Sequence, residues 1–156
     1  MSDVVRGLVA GALAGGAGTT ALHALTYADM ALRGRPASTT PEQGVERLAD
    51  ALHVKVPGDG DRRAHRTTGL GALLGIATGV AVGALAGVVR AGGVRLPLPA
   101  GVAATTTAAL LVGNGPMTVL ALTDPRDWSA GDWASDVVPH VGYGVVTSVT
   151  LRGLLP

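Results

Sequence analysis

The residues best suited to chemistry lie near the end of the chain, on one predicted helical stripe. Asp132, Asp136 and His140 follow one another at intervals of four residues, which places them on one face of a helix. From Val137 to Leu151 the chain is otherwise free of charged side chains. An ionisable residue inside an apolar helix is costly, so it indicates a functional site by default. Two carboxylates leading inward to an imidazole could carry a proton or a cation.

Two other apolar stretches contribute polar groups. His23 and Tyr27 are one helical turn apart, and Asn114 precedes a Gly-Pro break. At 1.5 Å per residue, His23, Asn114 and His140 lie roughly 10 to 15 Å from the same membrane face. In a compact bundle these side chains could meet, with Asp136 and Tyr27 above them. The predicted ligand or proton path consists of His23, Tyr27, Asn114, Asp136, His140 and Tyr143.

Four roles are open for this polar set. Buried His and Asn side chains often join helices by hydrogen bonds worth about 1 kcal/mol or less. A proton or ion path is the second role, because histidine titrates near neutral pH and transporters bind substrates at broken helices. The third is a zinc site built from two histidines and an aspartate, although no H-E-x-x-H motif is present. The fourth is a pocket for a lipid or small molecule.

The composition is typical of a membrane protein. Charged residues make up 15% of the 156 residues, glycine occurs 24 times and cysteine is absent. Typical soluble domains contain about 25% charged residues. The mean hydropathy is +0.40. The net charge of +1, without interleaved aromatic residues, gives no support for nucleic-acid binding. No nucleotide, cofactor or serine-hydrolase motif is found, so catalysis has little support.

Three uncharged stretches are long enough to cross a bilayer core of about 30 Å. A fourth, Val137 to Leu151, reaches that length only if Asp132 and Asp136 lie at the interface or face the protein interior. The sequence therefore predicts an all-α fold: one membrane domain over residues 1–156, with a bundle of four transmembrane helices and an amphipathic interfacial helix in the first loop. The predicted spans are 5–30, 67–90, 98–123 and 131–154, and the amphipathic helix is 41–53.

Local signals mark several helix ends. Thr40 is predicted as the N-cap of the amphipathic helix, with Pro41 in its first turn and Gln43 completing a capping box. Ser129 is predicted to cap the fourth span. Pro116 predicts a kink or a short unwound stretch in the third span.

Glycines recur every four residues in the first two spans. They form one row along each helix and predict close helix packing. The partner could be the other span of the same chain or a second copy. The rows contain Gly7, Gly11 and Gly15, and Gly71, Gly75, Gly79, Gly83 and Gly87.

Basic residues are distributed unevenly between the two membrane faces. Loops one and three hold eight, and the opposite face holds Arg6, Arg90, Arg95 and Arg152. The excess predicts a multi-pass protein of the cell (inner) membrane with loops one and three in the cytoplasm.

Three segments together resemble a group of small, uncharacterised multi-pass membrane proteins of high-GC actinobacteria. They are the glycine-rich first span, the segment Arg33-Gly-Arg-Pro-Ala-Ser-Thr-Thr-Pro-Glu42 and the segment Asp136-Val-Val-Pro-His-Val-Gly-Tyr-Gly-Val-Val-Thr147. The resemblance implies a membrane protein and transfers no catalytic residue.

The sequence thus predicts a non-enzymatic membrane protein, a small helical subunit or scaffold, without a metal or cofactor. Its expected partners are the lipid bilayer and a second copy or a larger membrane complex. One alternative is a small proton- or ion-coupled transporter or channel-like protein that uses the His/Asp/Asn site. The other is a membrane enzyme built on the same groups.

Overall fold

The computed structural model describes residues 2–156, and all regular secondary structure in that range is helical. Five α-helices follow one another, and a short 3₁₀ turn at Pro125–Asp127 precedes the last. The predicted all-α class is confirmed, since residues 2–156 contain no strand. The helices are α1 (Asp3–Arg33), α2 (Thr40–Ala51), α3 (Gly60–Ala91), α4 (Leu98–Val119) and α5 (Ala130–Leu154).

The four long helices alternate in direction. Gly7 of α1 lies beside Gly87 of α3, and Gly15 lies beside Gly79, so α1 and α3 are antiparallel. Helix α1 also packs along α5, α4 packs mainly along α5, and α3 touches α4 less extensively. Each long helix therefore has two long-helix neighbours, and the interior is bounded by all four.

Two helices, α1 and α3, are long and apolar enough to cross a membrane. Only 17% of the most apolar stretch of α3 is buried inside the protein, unlike the core helix of a typical soluble domain. Neither α4 nor α5 contains an uninterrupted stretch as apolar as those of α1 and α3: Asn114 and a run of threonines interrupt α4, and Asp132 and Asp136 interrupt α5. Their crossing of the membrane stays a prediction.

Helix α2 begins one residue earlier than its sequence signals suggest. Thr39 is the N-cap and Thr40 is already helical, so the prediction of Thr40 as the cap is wrong. The Gln43 side-chain amide donates to Thr39 Oγ1 at 3.1 Å. Pro41 tolerates the shift because no residue of the first helical turn has an intrahelical acceptor for its N–H.

The amphipathic helix α2 packs on protein at its buried face. Its Gly44 lies against Met117 near the end of α4, and Pro41 lies against Gly71 of α3. Glu46 forms an ion pair with Arg63 at 3.3 Å. Helix α2 therefore closes the end of the molecule where α3 begins and α4 ends, and its predicted position at the lipid interface is untested.

The N-terminus of α5 has the cap that the sequence predicts. Ser129 Oγ accepts a hydrogen bond from the Asp132 N–H at 3.2 Å, and the Asp132 carboxylate accepts one from the Ser129 N–H at 3.0 Å. This reciprocal capping box fixes where α5 starts. It also fixes the rotation of the polar stripe that follows Asp132.

Helix α4 stays helical from Leu98 to Val119, so no unwound stretch forms at Pro116, and the alternative of a kink stays a prediction. Proline removes one backbone donor and crowds the preceding turn. Here Pro116 stands in the last turn, so little of the helix lies beyond it. The Leu120 N–H donates to the Pro116 carbonyl at 2.9 Å and closes that turn.

Candidate functional site

A hydrogen bond between Asn114 and Asp136 joins α4 to α5 within the apolar part of both helices. The Asn114 side-chain amide donates to Asp136 Oδ2 at 2.7 Å, and the contact is partly buried. The antiparallel packing of α4 and α5 sets the last turns of one beside the first turns of the other. It therefore brings together two polar residues that are 22 positions apart in the chain.

His140 stands one turn beyond Asp136 on α5, and its tautomer follows from its partner. Its Nδ1 lies 2.7 Å from the Asp136 backbone carbonyl and 3.6 Å from Asp136 Oδ1. A carbonyl oxygen can only accept, so Nδ1 carries the hydrogen. In the neutral imidazole, Nε2 then has the lone pair. Nε2 faces Gly113, where a Cβ atom would lie 3.8 Å away.

This cluster has two hydrogen-bond acceptors, the Asp136 carboxylate and His140 Nε2. Its Asp136 carboxylate is held by a neutral amide, and no Lys or Arg ion pair reaches it within residues 2–156. The exposed side-chain fractions are 22% for Asp136 and 15% for His140, so the pair is neither sealed nor fully open. The lone pair of His140 Nε2 is the basic group that this arrangement leaves without a hydrogen-bond partner in residues 2–156.

The structure leaves His23 and Tyr27 outside this cluster. Their rings stack loosely on each other, with centroids 6.0 Å apart, and Tyr27 is 62% exposed. Neither side chain makes a hydrogen bond elsewhere in residues 2–156. Leu22 packs toward the core, and Leu25 lies against Gly142 of α5. His23 is partly buried and Tyr27 is exposed, and neither forms a hydrogen bond with Asn114, Asp136 or His140.

Tyr143 lies in a different polar seam, where α1, α3 and α5 meet. It is 1% exposed, and its hydroxyl donates to the Gly79 carbonyl at 2.7 Å. Thr147, one turn further along α5, donates to the Ala14 carbonyl at 3.4 Å. Both side chains therefore act as hydrogen-bonded links between helices.

A third seam joins α4 to the second half of α5. Thr105 Oγ1 lies 3.2 Å from the Gly144 carbonyl and 3.1 Å from Ser148 Oγ. The neighbouring Thr106 hydroxyl is also buried but has no hydrogen-bond partner in the described part of the chain. Gly144 allows this close approach, since a Cβ there would meet the Thr106 hydroxyl.

The glycine rows of α1 and α3 face each other over most of their length. A Cβ on Gly7 would lie 2.8 Å from the Gly87 carbonyl oxygen, and one on Gly15 would lie 2.6 Å from the Gly79 oxygen. Gly11 and Gly83 make an equally close pair between these two. Two glycines of the α3 row are placed otherwise: Gly71 faces Pro41 of α2, and Gly75 faces open space.

An ionic network at the end of α1 was missed by the sequence analysis. The Asp29 carboxylate binds Arg33 and Arg35, and it also accepts from the Ser135 hydroxyl at 3.0 Å. Arg33 in turn donates to Ser135 Oγ at 2.7 Å and to the Gly131 carbonyl. The i, i+4 spacing of Asp29 and Arg33 was the available signal, but Ser135 becomes relevant only once α1 and α5 are known to be neighbours.

No group of three or more His, Asp or Glu within residues 2–156 is arranged to hold a metal ion. No protein-family model, curated protein or solved structure matches the chain. The resemblance to actinobacterial membrane proteins thus stays a prediction. The chemistry of the cluster must be argued from its geometry alone.

Proposed function

We propose that this chain is a multi-pass protein of the cell membrane whose four long helices all cross the bilayer. The observation that carries the proposal is the distribution of polarity. Large apolar side chains are exposed on the outer face of each long helix. They include Leu8 and Leu13 on α1, Leu73, Ile76 and Leu85 on α3, Leu111 and Val112 on α4, and Val138, Val141, Val145 and Val149 on α5.

The interior contains mainly small side chains, both apolar and hydroxyl-bearing. The buried polar side chains are small hydroxyls on α1, α3, α4 and α5, and glycines line the contact of α1 with α3. In water, an exposed apolar surface of this extent would favour association or aggregation. Acyl chains solvate the same surface, and small residues let helices approach closely inside a bilayer. This distribution supports four crossings although polar residues interrupt the apolar stretches of α4 and α5.

Helix lengths agree with such a placement. Between Arg66 and Arg90, α3 has no charged side chain over roughly 35 Å at 1.5 Å per residue. Helix α4 has no charged residue at all. On α5, Asp132 and Arg152 are separated by about 30 Å. These lengths match the bilayer core of about 30 Å.

We further propose a non-enzymatic role as a small helical subunit or scaffold. The polar groups inside the protein are used to join helices: Tyr143, Thr147 and Thr105 all bind backbone carbonyls of neighbouring helices. Among the described residues, only Glu42 Oε2 and Thr106 Oγ1 are buried without a partner. Buried polar side chains that are already hydrogen-bonded to neighbouring helices support a structural role.

A second candidate function is proton-coupled transport at Asn114, Asp136 and His140. The observation in its favour is the unpartnered Nε2 of His140, beside a carboxylate that is partly exposed. Liposomes containing the wild-type chain would then show a pH-dependent flux that His140→Ala abolishes. Absence of flux in the wild type, or equal flux in the variant, would rule out this candidate.

Two measurements test the structural proposal. After a carbonate wash, the chain should stay in the membrane fraction, and it should leave only with detergent. Native mass spectrometry of the detergent extract should then detect the chain with a second copy or with a partner subunit at fixed stoichiometry. A chain dispersed in buffer would contradict membrane insertion, and a detergent-solubilised chain found only as a monomer would contradict the subunit role.

A further inference from the structure

A shallow apolar groove of about 490 Å³ follows the outer side of the contact between α4 and α5. Leu98, Val102 and Ala103 line it from α4, and Val141 and Val145 line it from α5. Thr106 also lines the groove, although its hydroxyl is buried against Gly144 of α5. The groove is open along its side, as a binding site for a chain-like apolar ligand would be.

Two arginines stand at one end of this groove. Val141, Val145, Val149 and Arg152 lie on a single stripe of α5, because their positions differ by four, eight and eleven residues. Arg95 lies three residues before Leu98, the first residue of α4, at the end of the molecule where α5 ends. Both arginines are exposed, and neither has an ion pair or a hydrogen bond to another residue in the 2–156 range.

The dimensions match one leaflet of a bilayer. From Val141 to Arg152 the stripe extends for about 16 Å at 1.5 Å per residue. Half of the hydrocarbon core measures about 15 Å. A lipid with its phosphate at the two arginines would therefore have its acyl chain along the valine stripe.

Charge complementarity selects the type of lipid. At this end of the molecule the basic residues are Arg6, Arg90, Arg95 and Arg152, and the acidic residue is Asp3. Arg90 is occupied, since its Nε donates to the Leu155 carbonyl at 2.6 Å. The two arginines at the groove are thus free to bind a phosphate, and the local positive excess favours a headgroup with net negative charge.

We propose that this groove binds one anionic phospholipid, with its phosphate at Arg95 and Arg152 and one acyl chain between α4 and α5. The inference rests on the proposed membrane crossing of α4 and α5. It adds a defined ligand class and a defined position on the surface. The lipid stabilises the contact between these two helices by covering their shared apolar seam.

The headgroup part is tested in nanodiscs made of phosphatidylcholine and phosphatidylglycerol. After extraction, native mass spectrometry counts the lipids retained by the wild-type chain, by the double variant Arg95→Gln/Arg152→Gln and by the control Arg6→Gln. We expect retention of one phosphatidylglycerol, weakened about fivefold for each groove arginine removed. The control should retain it like the wild type. Equal retention of phosphatidylcholine, or no loss in the double variant, would overturn the proposal.

The acyl-chain part is tested with a matched pair of variants. Ala103→Phe fills the groove, whereas Ala104→Phe adds the same ring to an exposed neighbouring position outside it. Only the first should lower phosphatidylglycerol retention, and circular dichroism should show equal helicity for both. If both variants retain the lipid equally, the groove is not its site. If the chain inserts into nanodiscs but retains no lipid, the lipid-binding proposal is wrong and the proposed membrane insertion stands. If the chain does not insert, both proposals are wrong.

Discussion

Asn114 on α4 donates a 2.7 Å hydrogen bond to the carboxylate of Asp136 on α5, and this contact joins the two helices near the end closed by α2. Polar contacts of this kind are worth about 0.6 kcal/mol on average in membrane proteins, and up to about 1.7 kcal/mol. A double-mutant cycle with Asn114→Ala and Asp136→Ala should therefore give a coupling free energy in that range. The measurement is the free energy of unfolding in detergent micelles.

The control for this cycle is Thr118→Ala combined with Asp136→Ala. The Thr118 hydroxyl donates to the backbone carbonyl of Asn114 within its own helix, at 2.9 Å. Because the Thr118 hydroxyl does not bond to the Asp136 carboxylate itself, the coupling energy of this pair should be smaller than that of the Asn114 pair. A coupling energy near zero for the Asn114 pair would show that the contact between α4 and α5 is not formed.

Glycine positions on α1 and α3 should differ sharply in their tolerance of a methyl group. On Gly15, a Cβ would lie 2.6 Å from the Gly79 carbonyl oxygen, which belongs to the rigid backbone of α3. We expect Gly15→Ala to lower the free energy of unfolding by about 1–3 kcal/mol, the usual cost of overpacking. Gly75→Ala meets nothing within 4 Å and should leave stability unchanged or slightly raised. Equal effects at both positions would contradict the packing of α1 on α3.

Two adjacent threonines offer a similar contrast on α4. Thr105→Val removes the contacts to the Gly144 carbonyl and to Ser148, so it should cost about 1 kcal/mol. Thr106→Val replaces a buried hydroxyl that has no partner and should be neutral or stabilising. Thermal unfolding in micelles ranks the two variants against the wild type. The reverse order would show that the hydroxyl of Thr106, and not that of Thr105, holds the seam.

The turn between α4 and α5 should resist acid. Hydrogen bonds from the Arg126 side chain and backbone lower the pKa of Asp124 from 3.8 to about 2. A lowered pKa means that the ionised carboxylate stabilises the turn above pH 3.8, and that this contribution is lost as the pH falls toward 2. The ¹³C shift of the Asp124 carboxyl should titrate near pH 2 in the wild type and nearer to 3.8 in Arg126→Gln. Identical titrations would contradict the ion pair.

Some of this organisation follows directly from the sequence. The uncharged stretches locate the long helices, and Ser129 with Asp132 fixes the start of α5, because both depend on local composition and local hydrogen bonds. Depth along a helix can also be counted from residue numbers. The capping of α2 was misplaced by one residue because Thr39 and Thr40 are chemically equivalent caps.

The rotation of each helix about its axis and the identity of its neighbouring helices could not be obtained from local sequence. His23 and Asn114 have similar depths, yet His23 contacts the Tyr27 ring and forms no hydrogen bond with Asn114, Asp136 or His140 in residues 2–156. The network of Asp29, Arg33 and Ser135 depends on the pairing of α1 with α5, which are about 100 residues apart. A single sequence has no signal for that pairing.

The number of membrane crossings is tested most directly by cysteine labelling, because the chain contains no cysteine of its own. Single cysteines replace Ala37 between α1 and α2, Val94 between α3 and α4, and Asp127 between α4 and α5, all at exposed positions. A membrane-impermeant maleimide is then applied to intact cells and to inverted vesicles. Four crossings predict that positions 37 and 127 react from the cytoplasmic side and position 94 from the other. If positions 94 and 127 react from the same side, α4 does not cross the membrane and the four-span arrangement is wrong.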